Sequence, residues 1–357
     1  MPIINKIKTY FKFGFTTRQV INRLRYSLSE KSKVLKYRPL WLLIYVSDLC
    51  NLKCKMCPHH TPCDASNFEF LKKEKDMMKP DVFRVIMDKF PEATLIMFAG
   101  VGEPLLNPYF FELAKMAIKN KKIINLVTNG TLLDREKINK IIGLKRFNQI
   151  SISLNASNPQ DYNNICKMPS ETFDKVVNNI KELVYFKKQH KNKAKFEIIV
   201  SAVCSQEFLP KIKDFLLFAD NLGIDRIDVH NYIDFSITDK DHQWTPVETS
   251  DKNIEVLEDM EKFSQEKIRA RVNLPLIFKK GNFCKKCEWF FKNLCFDAQG
   301  NIGGCGRVIN PDSNYGNLFI NKDDVWNNEY MRRMRNKFLN KNEQLLACCR
   351  HCVENYQ

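Results

Sequence analysis

Cys50, Cys54 and Cys57 stand within eight residues of one another in SDLCNLKCKMCP, spaced C-x3-C-x2-C. Three thiolates on one short loop suit three irons of a [4Fe-4S] cube and leave the fourth iron without a protein ligand, open to chemistry. A structural zinc ion instead takes four ligands in a closed tetrahedron, and these three have no obvious fourth partner: His59 and His60 are nearby but would crowd the loop. The chain holds thirteen cysteines, seven of them in the last 74 residues: Cys284, Cys287, Cys295, Cys305, Cys348, Cys349 and Cys352. An odd total cannot pair completely, and in a reducing compartment so many thiols read as metal ligands rather than disulfides.

The elements that must position these residues follow a regular pattern. Short β-branched runs at 42–47, 94–99, 123–128, 149–154, 197–203 and 226–230 alternate with amphipathic segments at 80–90, 108–120, 134–142, 171–188 and 209–222. This is the signature of parallel strands joined by crossover helices. The expected fold is therefore α/β, with six β/α units, two short of a closed eight-stranded barrel. Chemistry in such folds sits at the carboxyl ends of the strands. The cysteine triad follows the first strand there, and FAGVGEPLLNP follows the second, with Gly100, Gly102, Glu103 and Pro104. Thr128-Asn129-Gly130 ends the third, SISLNA forms the fourth, and Cys204 ends the fifth. Strand alternation predicts one face for Ser151, Ser153 and Asn155.

The triad, the Gly-Glu turn and the strand ends together resemble the radical S-adenosylmethionine (radical SAM) superfamily. The resemblance implies a partial (β/α)6 TIM-like barrel. It implies a [4Fe-4S] cluster on Cys50, Cys54 and Cys57 whose open iron chelates SAM, and reductive cleavage of SAM to a 5′-deoxyadenosyl radical, the cofactor carrying the hard step. Gly100, Gly102, Glu103 and Pro104 would bind SAM: glycine lets the backbone come close, and a carboxylate accepts from the methionine ammonium. Thr128, Ser153 and Asn155 would bond its ribose or carboxylate, with strand-end capping the alternative for Thr128 and Asn155. Met56 takes a place near the adenine, or simply packs. The implied activity is hydrogen abstraction from a peptide or carbohydrate-type substrate, leading to oxidation, epimerisation or peptide maturation. Flavodoxin or ferredoxin would supply the electron. Cys204 is a candidate hydrogen donor in that scheme; its other reading is a small buried hydrophobe.

The segment CEWFFKNLCFDAQGNIGGC, followed by YGNLF, resembles the SPASM/twitch extension of these enzymes. The resemblance implies one auxiliary [4Fe-4S] cluster on Cys287, Cys305, Cys349 and Cys352, four ligands that close it to substrate and favour electron transfer. Cys284 and Cys348 compete for two of these places, and Cys295 stands where the family has an apolar strand residue. A zinc ribbon on the same C-x2-C pairs is the alternative.

The 357 residues are 44% hydrophobic and 27% charged without low-complexity tracts, which excludes disordered, collagenous and coiled-coil chains. The longest apolar run, 41–46, is six residues, against roughly 20 for a bilayer span. The N-terminus has no signal-peptide pattern, so a cytoplasmic protein is expected. Of the net charge of +16, the first forty residues carry +9. Within them Ile3, Ile4, Ile7, Tyr10 and Phe11 recur at helical spacing between lysines. This basic arm reads as packed on the barrel with its lysines in solvent, or as a helix on the inner face of the membrane. Concentration of the charge there removes the argument for a nucleic-acid-binding core, so no nucleic acid is expected. The rival reading is a non-catalytic zinc- or iron-sulfur-stabilised nucleic-acid-binding protein. The expected divisions are 1–40 arm, 41–233 core, 234–283 connector and 284–357 auxiliary-cluster domain.

Overall fold

The structure, a computed structural model, describes residues 14–57, 75–190, 194–232, 247–248, 250–275, 287–306, 316–320, 324–340, 343–345 and 349. In chain order the elements are α1 (Thr17–Leu28), β1 (Trp41–Tyr45), α2 (Pro80–Lys89), β2 (Leu95–Ala99), α3 (Phe110–Lys119), β3 (Ile123–Thr128), α4 (Arg135–Gly143) and β4 (Phe147–Ser153). They continue with α5 (Pro159–Cys166), α6 (Ser170–Gln189), β5 (Glu197–Cys204), α7 (Ile212–Asn221), β6 (Arg226–Asn231), α8 (Asp251–Lys267) and β7 (Arg271–Asn273). Last come α9 (Trp289–Lys292), β8 (Asn293–Phe296), β9 (Ile302–Gly303) and α10 (Glu329–Leu339). Among the described residues no helix is long and apolar enough to cross a membrane.

The chain forms two compact units. The first takes the described residues through Leu49, those of 75–125 and those of 287–349. Its central strand, β1, pairs in parallel with β2 on one side and with β8 on the other, and β8 turns back antiparallel into β9. The sequence WLLIY is buried on both faces, as a parallel strand between neighbours must be. Leu42, Ile44, Ile96, Phe98, Leu294 and Phe296 are wholly buried on one face. On the other, Leu43, Tyr45 and Cys295 cluster with Met97, Ala99, Val101 and Trp289.

Residues of the expected basic arm are built into this unit. Helix α1 opens on a reciprocal capping box between Thr16 and Gln19. Gln19 then donates to the Ala93 carbonyl at 3.0 Å. Further along, the Trp326 indole donates to the Tyr37 carbonyl at 2.7 Å, and the Tyr37 hydroxyl donates to Phe291 O at 2.9 Å. Arg335, fully buried and stacked 4.2 Å over Trp326, donates to the carbonyls of Phe290, Trp326 and Lys33. Burial pushes its guanidinium pKa down to about 10. The stretch 3–12 lies outside the described residues.

The second unit takes 50–57 and the described residues of 126–275. Its strands β4, β5, β6 and β7 are parallel in that order. Strand β7 and helix α8 fall within the stretch expected to be a connector. On the apolar face Ile150, Ile152, Ile198, Val200, Ala202 and Ile227 are buried. On the polar face Arg226 bonds Glu197 at 3.1 Å and Asp228 at 3.0 Å, and Asn273 donates to Asp228 at 2.7 Å. This network occupies the N-terminal part of the face and leaves Ser153, Val203 and His230 at the strands' carboxyl ends.

Candidate functional site

The triad loop is held from two sides within the second unit. On one side is the turn that ends β3. There Asn51 Nδ2 donates to Thr131 Oγ1 at 2.8 Å, and Asn129 Nδ2 donates to Asn51 Oδ1 at 2.9 Å and reaches Cys50 Sγ at 3.9 Å. Asn129 Oδ1 in turn accepts from the Thr131 N–H and hydroxyl at 3.0 and 2.7 Å. Gly130 has φ +78°, and a Cβ there would press on Ile152 and Val176, so the turn demands glycine. On the other side is α5, whose last turn accepts two loop N–H groups: Lys53 to Cys166 O at 3.2 Å and Lys55 to Ile165 O at 2.9 Å.

Helix α5 was not expected from the sequence. Its start signals are nonetheless present: Asn158 as N-cap, bonded to the Asp161 N–H at 2.9 Å, then Pro159 at the first helical position. It carries Tyr162 and Cys166, both fully buried. A hydrogen bond that the Cys54 thiol shares with Cys166, reinforced by burial, raises the Cys54 pKa. The Tyr162 pKa is raised too, first by burial and then by the neighbouring sulfurs of Cys166, Cys54 and Cys50. Its hydroxyl meets the geometry of a hydrogen bond with none of the described protein groups.

Cys50, Cys54 and Cys57 are each partly exposed. Among the described residues no three His, Cys, Asp or Glu side chains close on one point as the ligands of a single metal ion do; the thiolates of a cube bind separate irons. Three accessible thiols on a pinned loop, backed by a buried hydroxyl short of an acceptor, fit a [4Fe-4S] cluster as donor set and surroundings.

The Gly-Glu turn belongs to the first unit. A Cβ on Gly102 would stand 2.3 Å from the Leu49 carbonyl oxygen and 2.4 Å from that of Ser47. The bare backbone instead allows Gly102 N–H to bond Ser47 O at 3.2 Å and Glu103 N–H to bond Leu49 O at 2.7 Å. Gly100 has φ +140°, and a side chain there would strike the Tyr45 ring. Glu103 is buried, and one carboxylate oxygen accepts from Leu105 N–H at 3.0 Å at the head of the short 3-10 turn that Pro104 opens.

Other candidates are placed as follows. Thr128 is the last residue of β3, buried, its hydroxyl accepting from Gly130 N–H at 3.1 Å. Ser153 ends β4, and Ser151 Oγ and Ser201 Oγ are 3.4 Å apart. Asn155 does not continue the strand: its φ is +62°, and its Oδ1 accepts from Val203 N–H at 3.1 Å. The expected alternation therefore stops at Ser153, because Asn155 turns to cap β5. Cys204 lies on the opposite face of β5 from Ser201 and Val203, fully buried, with its thiol on the Ser205 carbonyl at 3.6 Å. Burial pushes its pKa up to about 12. A hydrogen donor has to reach the substrate, and this thiol faces the helices.

Of the auxiliary set, Cys287 and Cys349 are buried and Cys305 is partly exposed. Cys352, with Cys284 and Cys348, lies outside the described residues. The β8–β9 hairpin is organised by Asp297, which accepts from the N–H groups of Gln299 and Asn301, and by Gly300 at φ +81°. Cys295 is fully buried in the apolar cluster with Leu43 and Tyr45, and its thiol pKa is raised by burial and by Cys305. The Tyr45 hydroxyl donates to Gly306 O at 2.8 Å, beside Cys305.

The chain is 29% identical over 199 residues to the tungsten-containing aldehyde ferredoxin oxidoreductase cofactor-modifying protein of Pyrococcus furiosus, covering 54% of this chain and 51% of that one. It is 33% identical over 149 residues to the cysteine-type anaerobic sulfatase-maturating enzyme of Clostridium perfringens, 39% of each. The chain thus spans about half or less of the length of these curated relatives. Streptococcus suis SuiB, solved bound to S-adenosylmethionine, shares the fold with a TM-score of 0.65 at 17% identity, over 94% of this chain and 75% of SuiB. SuiB has also been solved bound to its precursor peptide SuiA. The α/β fold with parallel strands is that of a partial TIM-like radical SAM enzyme. The radical SAM superfamily profile matches residues 44–228, just over half of the chain, and the chain belongs to that superfamily.

Proposed function

We propose that the chain is a radical SAM enzyme that abstracts hydrogen from a peptide substrate, with Cys50, Cys54 and Cys57 as ligands of its catalytic [4Fe-4S] cluster. The observation that carries the reading is the fastening of the triad loop between the β3 turn and the end of α5. When bound, the cluster supplies the electron that cleaves SAM to a 5′-deoxyadenosyl radical.

The chain's own residues then do the following. Asn129 and Asn51 fix the loop's N-terminal arm and hold Cys50 in place. Gly100, Gly102, Glu103 and Pro104 shape the turn for the methionine part of SAM, the bare backbone of Gly102 permitting close approach. Thr128 and Ser153, at strand ends, are offered to its ribose or carboxylate. Cys287, Cys305, Cys349 and Cys352 hold one auxiliary [4Fe-4S] cluster in an electron-transfer role, fed by a flavodoxin- or ferredoxin-type donor. The peptide class is favoured over a carbohydrate by two likenesses: to the sulfatase-maturating enzyme, and in fold to SuiB, which binds a precursor peptide.

Anaerobically purified protein is expected to hold roughly eight irons if both clusters are [4Fe-4S], and with dithionite to convert SAM to 5′-deoxyadenosine. Replacing Cys50, Cys54 and Cys57 by Ala should halve the iron and abolish cleavage. Replacing the auxiliary cysteines should also halve the iron but leave cleavage. Stoichiometric zinc without SAM cleavage would overturn the reading.

A further inference from the structure

We propose that the Tyr162 hydroxyl donates a hydrogen bond to sulfur of the triad's cluster, thiolate or sulfide, and thereby eases its reduction. The inference rests on the proposed cluster at Cys50, Cys54 and Cys57.

Tyr162 is fully buried, its ring packed edge-on against Phe173 at 5.7 Å. Its hydroxyl has no hydrogen-bond partner among the described protein groups. A buried hydroxyl left without an acceptor costs stability, and native folds retain such groups where an ion, a water or a functional partner takes them up. Helix α5 carries this hydroxyl one turn before Cys166, whose carbonyl, like that of Ile165, accepts an N–H of the triad loop, and the titratable groups acting on it are the thiols of Cys166, Cys54 and Cys50. Cys166 approaches it closely, but a neutral thiol is a weak acceptor. Nor is α5 free to carry the hydroxyl elsewhere, because two backbone hydrogen bonds tie its last turn to the triad loop. What the described residues do not offer is an anionic acceptor, and cluster-bound sulfur is one.

The direction of the effect follows from charge. Reduction adds an electron to the cluster and makes its sulfurs better acceptors. A donor therefore binds the reduced state more strongly and raises the potential, as hydrogen bonds to cluster sulfur do. Tyr162 would be a positioning and tuning residue, touching neither SAM nor substrate.

The test compares wild-type holoenzyme with Tyr162→Phe, which keeps the ring and removes the oxygen. Wild-type iron content and its reduced-cluster EPR signal come first; their absence would defeat the cluster reading itself. Given the cluster, Tyr162→Phe should keep full iron and sulfide while its reduced-to-oxidised ratio at a fixed poise falls about tenfold, a midpoint about 59 mV more negative. ENDOR of the reduced wild type should show an exchangeable proton coupled to the cluster that the variant lacks. Metal-free protein should melt no lower with Phe than with Tyr, because the hydroxyl has no acceptor to lose among the described residues. An unchanged potential at full iron would overturn the inference, as would a lower melting point of the metal-free variant. If the variant assembles less cluster, the wild-type proton coupling decides alone, and its absence counts against the inference.

Discussion

At Gly102 the decisive fact is distance: any side chain would begin 2.3–2.4 Å from two carbonyl oxygens of the segment that leads into the triad. Those oxygens are backbone and cannot rotate away, so Gly102→Ala must push the Gly-Glu turn off Ser47 and Leu49 and weaken the hydrogen bonds from Gly102 and Glu103. Overpacking of this kind costs about 1–3 kcal/mol. A lowered melting temperature and weaker SAM binding in equilibrium dialysis are expected; a variant that melts and binds like wild type would contradict the role of the turn. Cys204 is the contrasting case. Its thiol is buried on the apolar side of β5, so Cys204→Ala should lose some stability through the small cavity it leaves. It should not change the yield of 5′-deoxyadenosine or of product, both measurable by chromatography. The chemical character of the triad was legible in its spacing because ligands on one loop are neighbours in sequence. Tyr162 was not legible, because what sets it apart is the company of thiols as many as 112 residues away in the chain.

Helix α5 shows how an element can matter more to a site than its sequence signal suggests. It is short, eight residues between an Asn N-cap and a left-handed Lys167, with too few apolar positions to show a clear helical period. The long units of the core were readable because each strand is a buried apolar run and each crossover helix has one apolar face. Strands β7 and β8 were not, having three and four residues, and their place in the sheet is fixed by tertiary pairing. The N-cap of α5 offers a test of its clamp on the triad loop. Asn158 accepts from Asp161 N–H and also donates to the Asp161 carboxylate, both at 2.9 Å. Asn158→Ala should cost about 1 kcal/mol, spent locally on the helix whose end carries the loop. Iron should then leave for a chelator faster than in wild type, while the global melting temperature changes little. Equal rates of iron loss would show that the β3 turn alone holds the loop.

At the scale of the whole chain, the C-terminal segment is part of the framework that holds β1 and not only a bearer of cysteines. Strand β8 pairs in parallel along Trp41–Ile44, so it covers the edge of β1 opposite β2. The same segment supplies Trp326, whose indole bonds Tyr37 O, and Arg335, whose guanidinium gathers carbonyls from Lys33, Phe290 and Trp326. Cutting the chain after residue 283 would expose that strand edge, a ready template for association. It would also uncover apolar surface at Leu43 and Tyr45, which now pack on Cys295. It would leave the 33–37 stretch without its acceptors' partners in the same step. The truncated protein, although it retains all three triad cysteines and the whole profile match, is therefore expected to aggregate or to lose its cooperative melt by circular dichroism. By contrast, the full-length chain with the auxiliary cysteines replaced by Ala should still melt cooperatively, because the pairing of β8 and the bonds of Trp326 and Arg335 do not depend on metal. If the 1–283 fragment instead melts cooperatively as a soluble monomer and binds iron at the triad, the C-terminal segment is a separable domain and the strand pairing contributes little to the core.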